Sequence, residues 1–225
     1  MSFSETSTTS DVLKGICLDD KHAFITGATG GLGIETARAF ASVGASVTIA
    51  GRDPEKIEAA LATLRGALPG ASFDGEVVDL ASLSSIQSAA KRIIAQDRSV
   101  DILVNNAGVM MSPEGKTEDG FETQFGTNHL GHFAFTAGLM PVITSGGRVV
   151  TLSSGAHLRG SVDLDDLNWD SRDYDPNLAY AQSKTANAWF TLELHRRYAN
   201  CFLALSVHPG VIETDLMRHL PPALF

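Results

Sequence analysis

The stretch that most restricts what this chain can fold into is TGATGGLG, Thr26–Gly33, which follows the apolar run HAFITG and leads into GIETARAFASVG. The apolar run reads as a buried strand, and the segment after it as an amphipathic helix ending at Gly44. Glycines between the two permit a tight turn and a close backbone approach, and they leave a helix N-terminus free to hold a pyrophosphate. A glycine pattern alone is a weak signal. Its place here, after a strand and at the opening of a helix, is the context such a turn requires. The doubled Gly30–Gly31 fits two spacings: Gly27, Gly31 and Gly33 match TGxxxGxG, while Gly27, Gly30 and Gly33 match GxxGxxG. The turn itself does not choose between them.

The alternation continues along the chain. SVTIAG is a second strand, and PEKIEAALATLRG a helix with Pro54 in its first turn and Asp53 as a cap. SFDGEVVDL holds a third strand, and Ser82 opens the helix LSSIQSAAKRIIAQ. VDILVNNAG is a fourth strand with its exit loop, DGFETQFGTNHLGHFAFTAGLM a long helix, and GRVVTLSS a fifth strand. AYAQSKTANAWFTLELHRRYA is a helix and CFLALSVHPG a sixth strand. Strands that alternate with helices pair in parallel and carry helices on both faces. The fold class is therefore α/β, a doubly wound parallel sheet of Rossmann type. One domain is expected over residues 21–225, after a flexible polar tail at 1–20. GAHLRGSVDLDDLNWDSRDYDPNL breaks the rhythm and is expected to be an ordered loop over the carboxyl edge of the sheet.

Composition excludes several classes. The formal net charge of −9 argues against a nucleic-acid partner, whose phosphates require a basic face. Cys17 and Cys201 form no metal-ligand spacing, and a disulfide framework is not expected; a reducing, cytoplasmic setting is the simpler reading. His129 and His132 lie three apart with no third ligand in pattern, so they read as packing residues, and no metal site is expected. The first residues lack the apolar core of a secretory signal, and no run reaches the length of a membrane anchor.

Two places carry candidate chemistry. The second strand ends in AGRDP, where an acid commonly holds an adenosine ribose and an arginine accepts a 2′-phosphate. Arg52 is expected to be the phosphate clamp and Asp53 the cap of the next helix. Asp79, ending the third strand, is either at an adenine edge or another helix cap. The second place is AYAQSKTANAWF, where Tyr180 and Lys184 stand four apart on one helix face. A free tyrosine titrates near 10, too high for efficient proton transfer at neutral pH. An ammonium about 4 Å away, at an effective dielectric of about 20, favours the phenolate by about 4 kcal/mol, which would lower its pKa by about 3.

TGATGGLG, NNAG (Asn105–Gly108), TNHLG around Asn128, the serines Ser153–Ser154, YAQSK and HPG (His208–Gly210) occur in an order that resembles the short-chain dehydrogenase/reductase family, from Lys21 to about Thr214. NNAG resembles the simple reductases rather than the epimerase-like branch. The long serine–tyrosine interval, SSGAH and YAQSKTANAWF are most similar to the retinol-dehydrogenase and WW-domain-oxidoreductase branch. The resemblance implies hydride transfer between a nicotinamide cofactor and a carbonyl or alcohol, with NADP preferred over NAD. The substrate would be a lipophilic or aromatic small molecule; the membrane anchor of the retinol dehydrogenases has no counterpart in the sequence, which argues against a retinoid.

The same resemblance places the catalytic set on Asn128, Ser154, Tyr180 and Lys184. Tyr180 would move a proton on the substrate oxygen, and Ser154, with Ser153 as the alternative, would hydrogen-bond that oxygen. Lys184 would grip the nicotinamide ribose and Asn128 would hold a water. Cofactor contacts fall on Gly27, Thr29, Gly31, Leu32 and Gly33, on Arg52, Asp79 and Leu80, on Asn106, Ala107 and Gly108, on Tyr180 and Lys184, and on Pro209, Gly210 and Thr214. Family members continue past this point with a lid helix and a seventh strand, which are expected to be missing here. A bare sixth-strand edge would invite a homo-oligomer. Two other readings follow: a nucleotide-binding regulator without turnover, and a truncated, impaired reductase.

Overall fold

A computed structural model describes residues 3, 4 and 6–218 of the chain. Six strands form one sheet: β1 (His22–Thr26), β2 (Ser46–Gly51), β3 (Phe73–Val77), β4 (Val100–Asn105), β5 (Ile143–Leu152) and β6 (Phe202–Val207). Their order is β3-β2-β1-β4-β5-β6, with every neighbouring pair parallel. The direction of winding reverses between β1 and β4, and such a reversal opens a crevice at the carboxyl ends of the two strands.

Alternation along β1 divides the interior in two. Ala23 and Ile25 point to one face, where they pack with Val47, Ile49 and the helices α2 (Gly31–Ala41) and α3 (Pro54–Ala67). Phe24 points to the other, onto α4 (Leu83–Ala95), α6 (Gly131–Leu139) and α7 (Pro176–Tyr198) through Ile86, Phe135, Leu139 and Phe190. Each fully buried Phe, Ile or Leu contributes about 1.5–3 kcal/mol of transfer free energy, so the two cores hold the sheet rigid beneath the crevice. Beyond β5 the second core continues through Phe202 and Ala204, while Leu203, Leu205 and Val207 of β6 are exposed on the opposite face.

Helix starts follow their caps. The Asp53 carboxylate accepts the N–H groups of Glu55 and Lys56 above Pro54, and Ser82 caps α4. The Asp175 carboxylate accepts Asn177 and Leu178, so α7 begins at Pro176, three residues before the expected Ala179. Asp79 caps no helix; its side chain accepts the Ala81 N–H at 2.9 Å in a local turn.

Two expectations change. The long helix expected from Asp119 begins only at α5 (Thr123–Phe125), capped by the Glu122 carboxylate, and is interrupted by a π-turn over Gly126–Leu130 before α6. The Asp-rich loop wraps the first half of α7 instead of only crossing the sheet edge. Thr185 Oγ1 bonds the carbonyls of His157 and Gly160, each at 3.1 Å, and Gln182 Nε2 donates to Leu167 O at 3.0 Å. Residues 179–187 of α7 are consequently buried all round, which is why the segment lacks a clean polar face. At the N-terminus, α1 (Thr9–Val12) precedes Leu18, whose N–H donates to Val43 O at 2.7 Å. Met1, Ser2 and Glu5 lie outside the described residues, as does everything after Arg218, where the expected loss of the lid and seventh strand would be read.

Candidate active site

The crevice is a cleft of about 1050 Å³ that runs from Arg52 past the glycine turn to Tyr180. The turn after β1 is built for close contact. Gly27 has φ +65°, and a Cβ there would stand 2.6 Å from Ala107 Cα. A Cβ on Gly33 would meet Gly27 O, and Asn106 Nδ2 at 2.8 Å. Unlike α3, α4 and α7, α2 has no side-chain cap, and no acidic residue stands in its first turn. Its leading N–H groups face the cleft, which fits an anionic pyrophosphate. The turn is held from β4: Asn106 Nδ2 donates to Thr26 O at 2.8 Å and to Gly27 O at 3.1 Å, and Thr26 Oγ1 accepts the N–H groups of Asn106 and Ala107.

Every residue expected to touch the cofactor lines this cleft: Gly27, Thr29, Gly31, Leu32, Gly33, Arg52, Asp79, Leu80, Asn106, Ala107, Gly108, Tyr180, Lys184, Pro209, Gly210 and Thr214. Thr214 comes from the segment after β6, which folds back over the turn; a Cβ on Gly31 would lie 3.2 Å from its methyl group. Near Arg52 the cleft also receives Lys56 and Asp53, whose Oδ1 accepts both capping N–H groups of α3.

At the other end, Ser154, Tyr180 and Lys184 line the cleft together. Ser153 also lines the cleft, but its hydroxyl donates to Lys184 O at 2.9 Å. Asn128 does not line the cleft. It is fully buried in the π-turn, where Oδ1 accepts Val109 N–H at 2.8 Å and Nδ2 donates to Val109 O at 2.9 Å and Ser183 Oγ at 3.0 Å. One amide donor thus braces the loop after β4 and the other reaches Ser183 on α7, so a water could bond this side chain only by donating to Oδ1.

The electrostatics differ from the expected ammonium-assisted phenol. Burial pushes the Tyr180 hydroxyl up from its ordinary value, opposed in part by a hydrogen bond with Ser154. Burial brings Lys184 down to about 8. Its Nζ sits 5.5 Å from the Tyr180 ring centroid and donates to Leu152 O at 3.1 Å, so the ammonium is anchored to the end of β5 rather than to the phenol oxygen. Four-residue spacing put the two on one face but could not say where a long, flexible side chain ends.

The two histidines read from the sequence as packing residues lie on the π-turn and the start of α6. His132 Nδ1 lies 2.9 Å from Asn128 O, and a carbonyl only accepts, so that nitrogen carries the proton. Nε2 therefore accepts from Thr26 Oγ1 at 2.9 Å, and burial holds the ring neutral with a pKa of about 4. His129 stacks with Phe125 and Phe190 and is likewise brought to about 4 by burial. Among the described residues no group of three or more His, Cys, Asp or Glu could hold a metal ion. Met110, Met111, Leu178, Val211, Ile212 and Met217, none of which the sequence singled out, also line the cleft, interspersed with Arg159, Asp175, Asn177, His208, Asp215 and Arg218.

Comparison with known proteins agrees with this geometry. The family model described as short chain dehydrogenase matches residues 21–166. Human retinol dehydrogenase 13 is 46% identical over 202 residues, covering 88% of this chain and 61% of its own length. The chain thus spans about three-fifths of that relative. A solved structure of a Mycobacterium paratuberculosis protein superposes with a TM-score of 0.80 at 46% identity, covering 90% of this chain and 73% of that one. A gluconate 5-dehydrogenase from Burkholderia cenocepacia J2315, solved in complex with NADP and tartrate, superposes at 0.72 with 27% identity, covering 92% and 78%. Among the described residues no helix is long and apolar enough to cross a membrane.

Proposed function

Because the chain belongs to the short chain dehydrogenase family, we propose that it is an NAD(P)-dependent oxidoreductase that interconverts a carbonyl and an alcohol on a lipophilic small molecule. The observation that carries this reading is the cleft itself, with an uncapped helix N-terminus at one end and Tyr180, Ser154 and Lys184 gathered at the other. The nicotinamide cofactor, when bound, supplies or accepts the hydride. The chain orients the reactants and moves the proton.

Tyr180 is the proton donor to the substrate oxygen. A phenol held above its ordinary pKa by burial stays protonated, which is the form needed to reduce a carbonyl. Ser154, which lines the same cleft and accepts the Ala156 N–H at 3.2 Å, supplies a second hydrogen bond to that oxygen with its hydroxyl proton. Lys184 holds positive charge beneath the Tyr180 ring and keeps N–H donors for a ribose, since only one of them reaches Leu152 O. Asn128 fixes the loop at Val109 and, through Ser183, the helix turn bearing Tyr180.

NADP is the favoured cofactor. Arg52 and Lys56 both line the adenosine end, two cations within reach of a 2′-phosphate, while Asp53 commits its Oδ1 to the cap of α3. Support for an apolar substrate comes from the methionine and aliphatic wall, and the similarity to a retinol dehydrogenase points the same way. The test is fluorescence titration with NADPH and NADH, then turnover on aliphatic and aromatic aldehydes by the wild type and Tyr180→Phe. Loss of about 10³-fold or more in kcat with NADPH affinity intact is expected for an acid that acts only in the transition state. Unchanged turnover in Tyr180→Phe would remove the phenol from the chemistry. A nucleotide-binding regulator is the second reading, since the glycine turn and its cleft would serve binding alone; tight NADPH binding with no turnover on any aldehyde would select it.

A further inference from the structure

Met111 stands in the cleft wall with φ +56°, a left-handed backbone that a non-glycine residue adopts only when its surroundings impose it. The imposing group is Gln124. Its side chain is 0% exposed, its Oε1 accepts the Met111 N–H at 2.9 Å, and its Nε2 donates to Tyr174 Oη and to Pro176 O, both at 2.9 Å. Pro176 opens α7, and Tyr180 lies one turn further on. The Tyr174 hydroxyl is shared between Glu122 Oε1 at 3.0 Å and Ser112 O at 3.3 Å. Glu122 is itself buried and accepts Gln124 N–H at 2.8 Å and Phe125 N–H at 2.6 Å. Three segments that share no strand, 109–112, 122–125 and 174–176, therefore meet on one buried set of hydrogen bonds.

Resting on the oxidoreductase reading above, we propose that Gln124 and Tyr174 are positioning residues that set the substrate wall, by holding Met111 in its strained conformation and fixing it relative to the helix that bears Tyr180. The cofactor end is built from other parts, the glycine turn, Asn106 and Arg52, and shares none of these bonds. The network therefore governs recognition of the carbonyl compound and not of the dinucleotide. Tyr174→Phe removes one hydroxyl and leaves Gln124 Nε2 and Glu122 short of a partner inside a buried site, so the peptide at Met111 relaxes.

The test compares wild type, Tyr174→Phe and Gln124→Glu, using decanal and 4-nitrobenzaldehyde as probes. It reads the NADPH Kd, KM, kcat and the hydrogen-exchange rate of the Met111 amide. In Tyr174→Phe the expected result is a KM for decanal raised about tenfold, the loss of roughly one buried hydrogen bond, with NADPH Kd and kcat within about twofold. The Met111 amide should exchange faster by about the same factor. Gln124→Glu keeps the acceptor for Met111 but not the donor to Pro176, so it should keep that amide protected while lowering kcat. A faster Met111 amide with unchanged KM would overturn the proposal, as would a joint rise of KM and NADPH Kd with a fall in melting temperature, which a merely structural role predicts. Wild-type protein that binds NADPH yet turns over neither probe would overturn the oxidoreductase reading together with the substrate role. An active wild type with an unmoved KM in Tyr174→Phe overturns only the clamp.

Discussion

Replacing Lys184 with methionine should make the protein more stable at neutral pH while abolishing turnover. Lys184 is 4% exposed, and burial lowers its pKa from 10.5 to about 8. The unfolded chain therefore holds this proton more tightly than the native state does. Below pH 8 the native protein carries the full cost of the buried ammonium; the cost shrinks as pH rises through 8 and vanishes above 10.5. At 1.36 kcal/mol per pH unit it amounts to about 3 kcal/mol at pH 7. Methionine removes that cost and fills similar volume. It also removes the hydrogen bond to Leu152 O, but that carbonyl keeps the Asn187 Nδ2 donor at 3.0 Å, so no buried acceptor is orphaned. Allowing about 1 kcal/mol for the lost bond, Lys184→Met should be about 2 kcal/mol more stable at pH 7 and close to wild type at pH 9.5. Urea unfolding followed by the fluorescence of Trp169 and Trp189, without cofactor, measures both values. A variant less stable than wild type at pH 7, or a stability gap of the same size at both pH values, would refute the argument.

Other perturbations read different parts of the cleft. Gly33→Ala places a Cβ 2.7 Å from Ala28 Cα and 2.8 Å from Asn106 Nδ2, so it should lower stability by about 1–3 kcal/mol in urea unfolding and weaken NADPH binding at least about tenfold by titration. Arg52→Ala should raise the NADPH Kd about tenfold and leave the NADH Kd unchanged, the loss of one charged phosphate contact. Asp53→Ala should instead cost about 1 kcal/mol of stability through its cap and move neither Kd by more than about twofold. His132 has its pKa brought from 6.5 to about 4, so the unfolded chain takes up the proton first and stability is lost as pH falls from 6.5 toward 4. His132→Leu should flatten that part of the stability–pH curve measured by chemical denaturation.

The alternation of apolar runs and amphipathic stretches was enough to order the elements, because parallel strands buried on both faces leave a plain mark: β2 runs over Ser46–Gly51 as its sequence indicated. Caps were legible for the same local reason, and Asp53 shows it. The π-turn at Gly126–Leu130 was not, since one extra residue per turn alters no hydrophobic period over five residues. Nor was the burial of residues 179–187, which depends on a loop from elsewhere in the chain wrapping α7. The glycine turn and the Tyr180–Lys184 pair were legible from spacing, and Ser154 from the family resemblance; these residues do meet in one cleft, while Asn128 of the same set does not line it. The sense of the pKa shifts was not, because spacing gives proximity and says nothing about desolvation, which outweighs it at both Tyr180 and Lys184. Gln124 and Tyr174, 50 residues apart, lacked any motif that would join them.

The two ends of the cleft are held by different kinds of structure, and this has a consequence for what can change. The proposed dinucleotide end relies mainly on backbone, the turn after β1 and the N-terminus of α2, with the turn carbonyls held by the Asn106 side-chain amide. The carbonyl end relies on side chains contributed by segments outside the sheet, Met110 and Met111 after β4, Leu178 at the start of α7, and Val211, Ile212 and Met217 after β6. Val211 is 87% exposed and Leu178 47%, so neither supports the core. Substitutions there can reshape the wall at little cost in stability, because exposed apolar side chains contribute little to folding. On the proposed function, selectivity for the carbonyl compound is thus separable from the fold and from cofactor binding, except at Met111, where the wall is tied through Gln124 to the helix that carries Tyr180, the proposed proton donor.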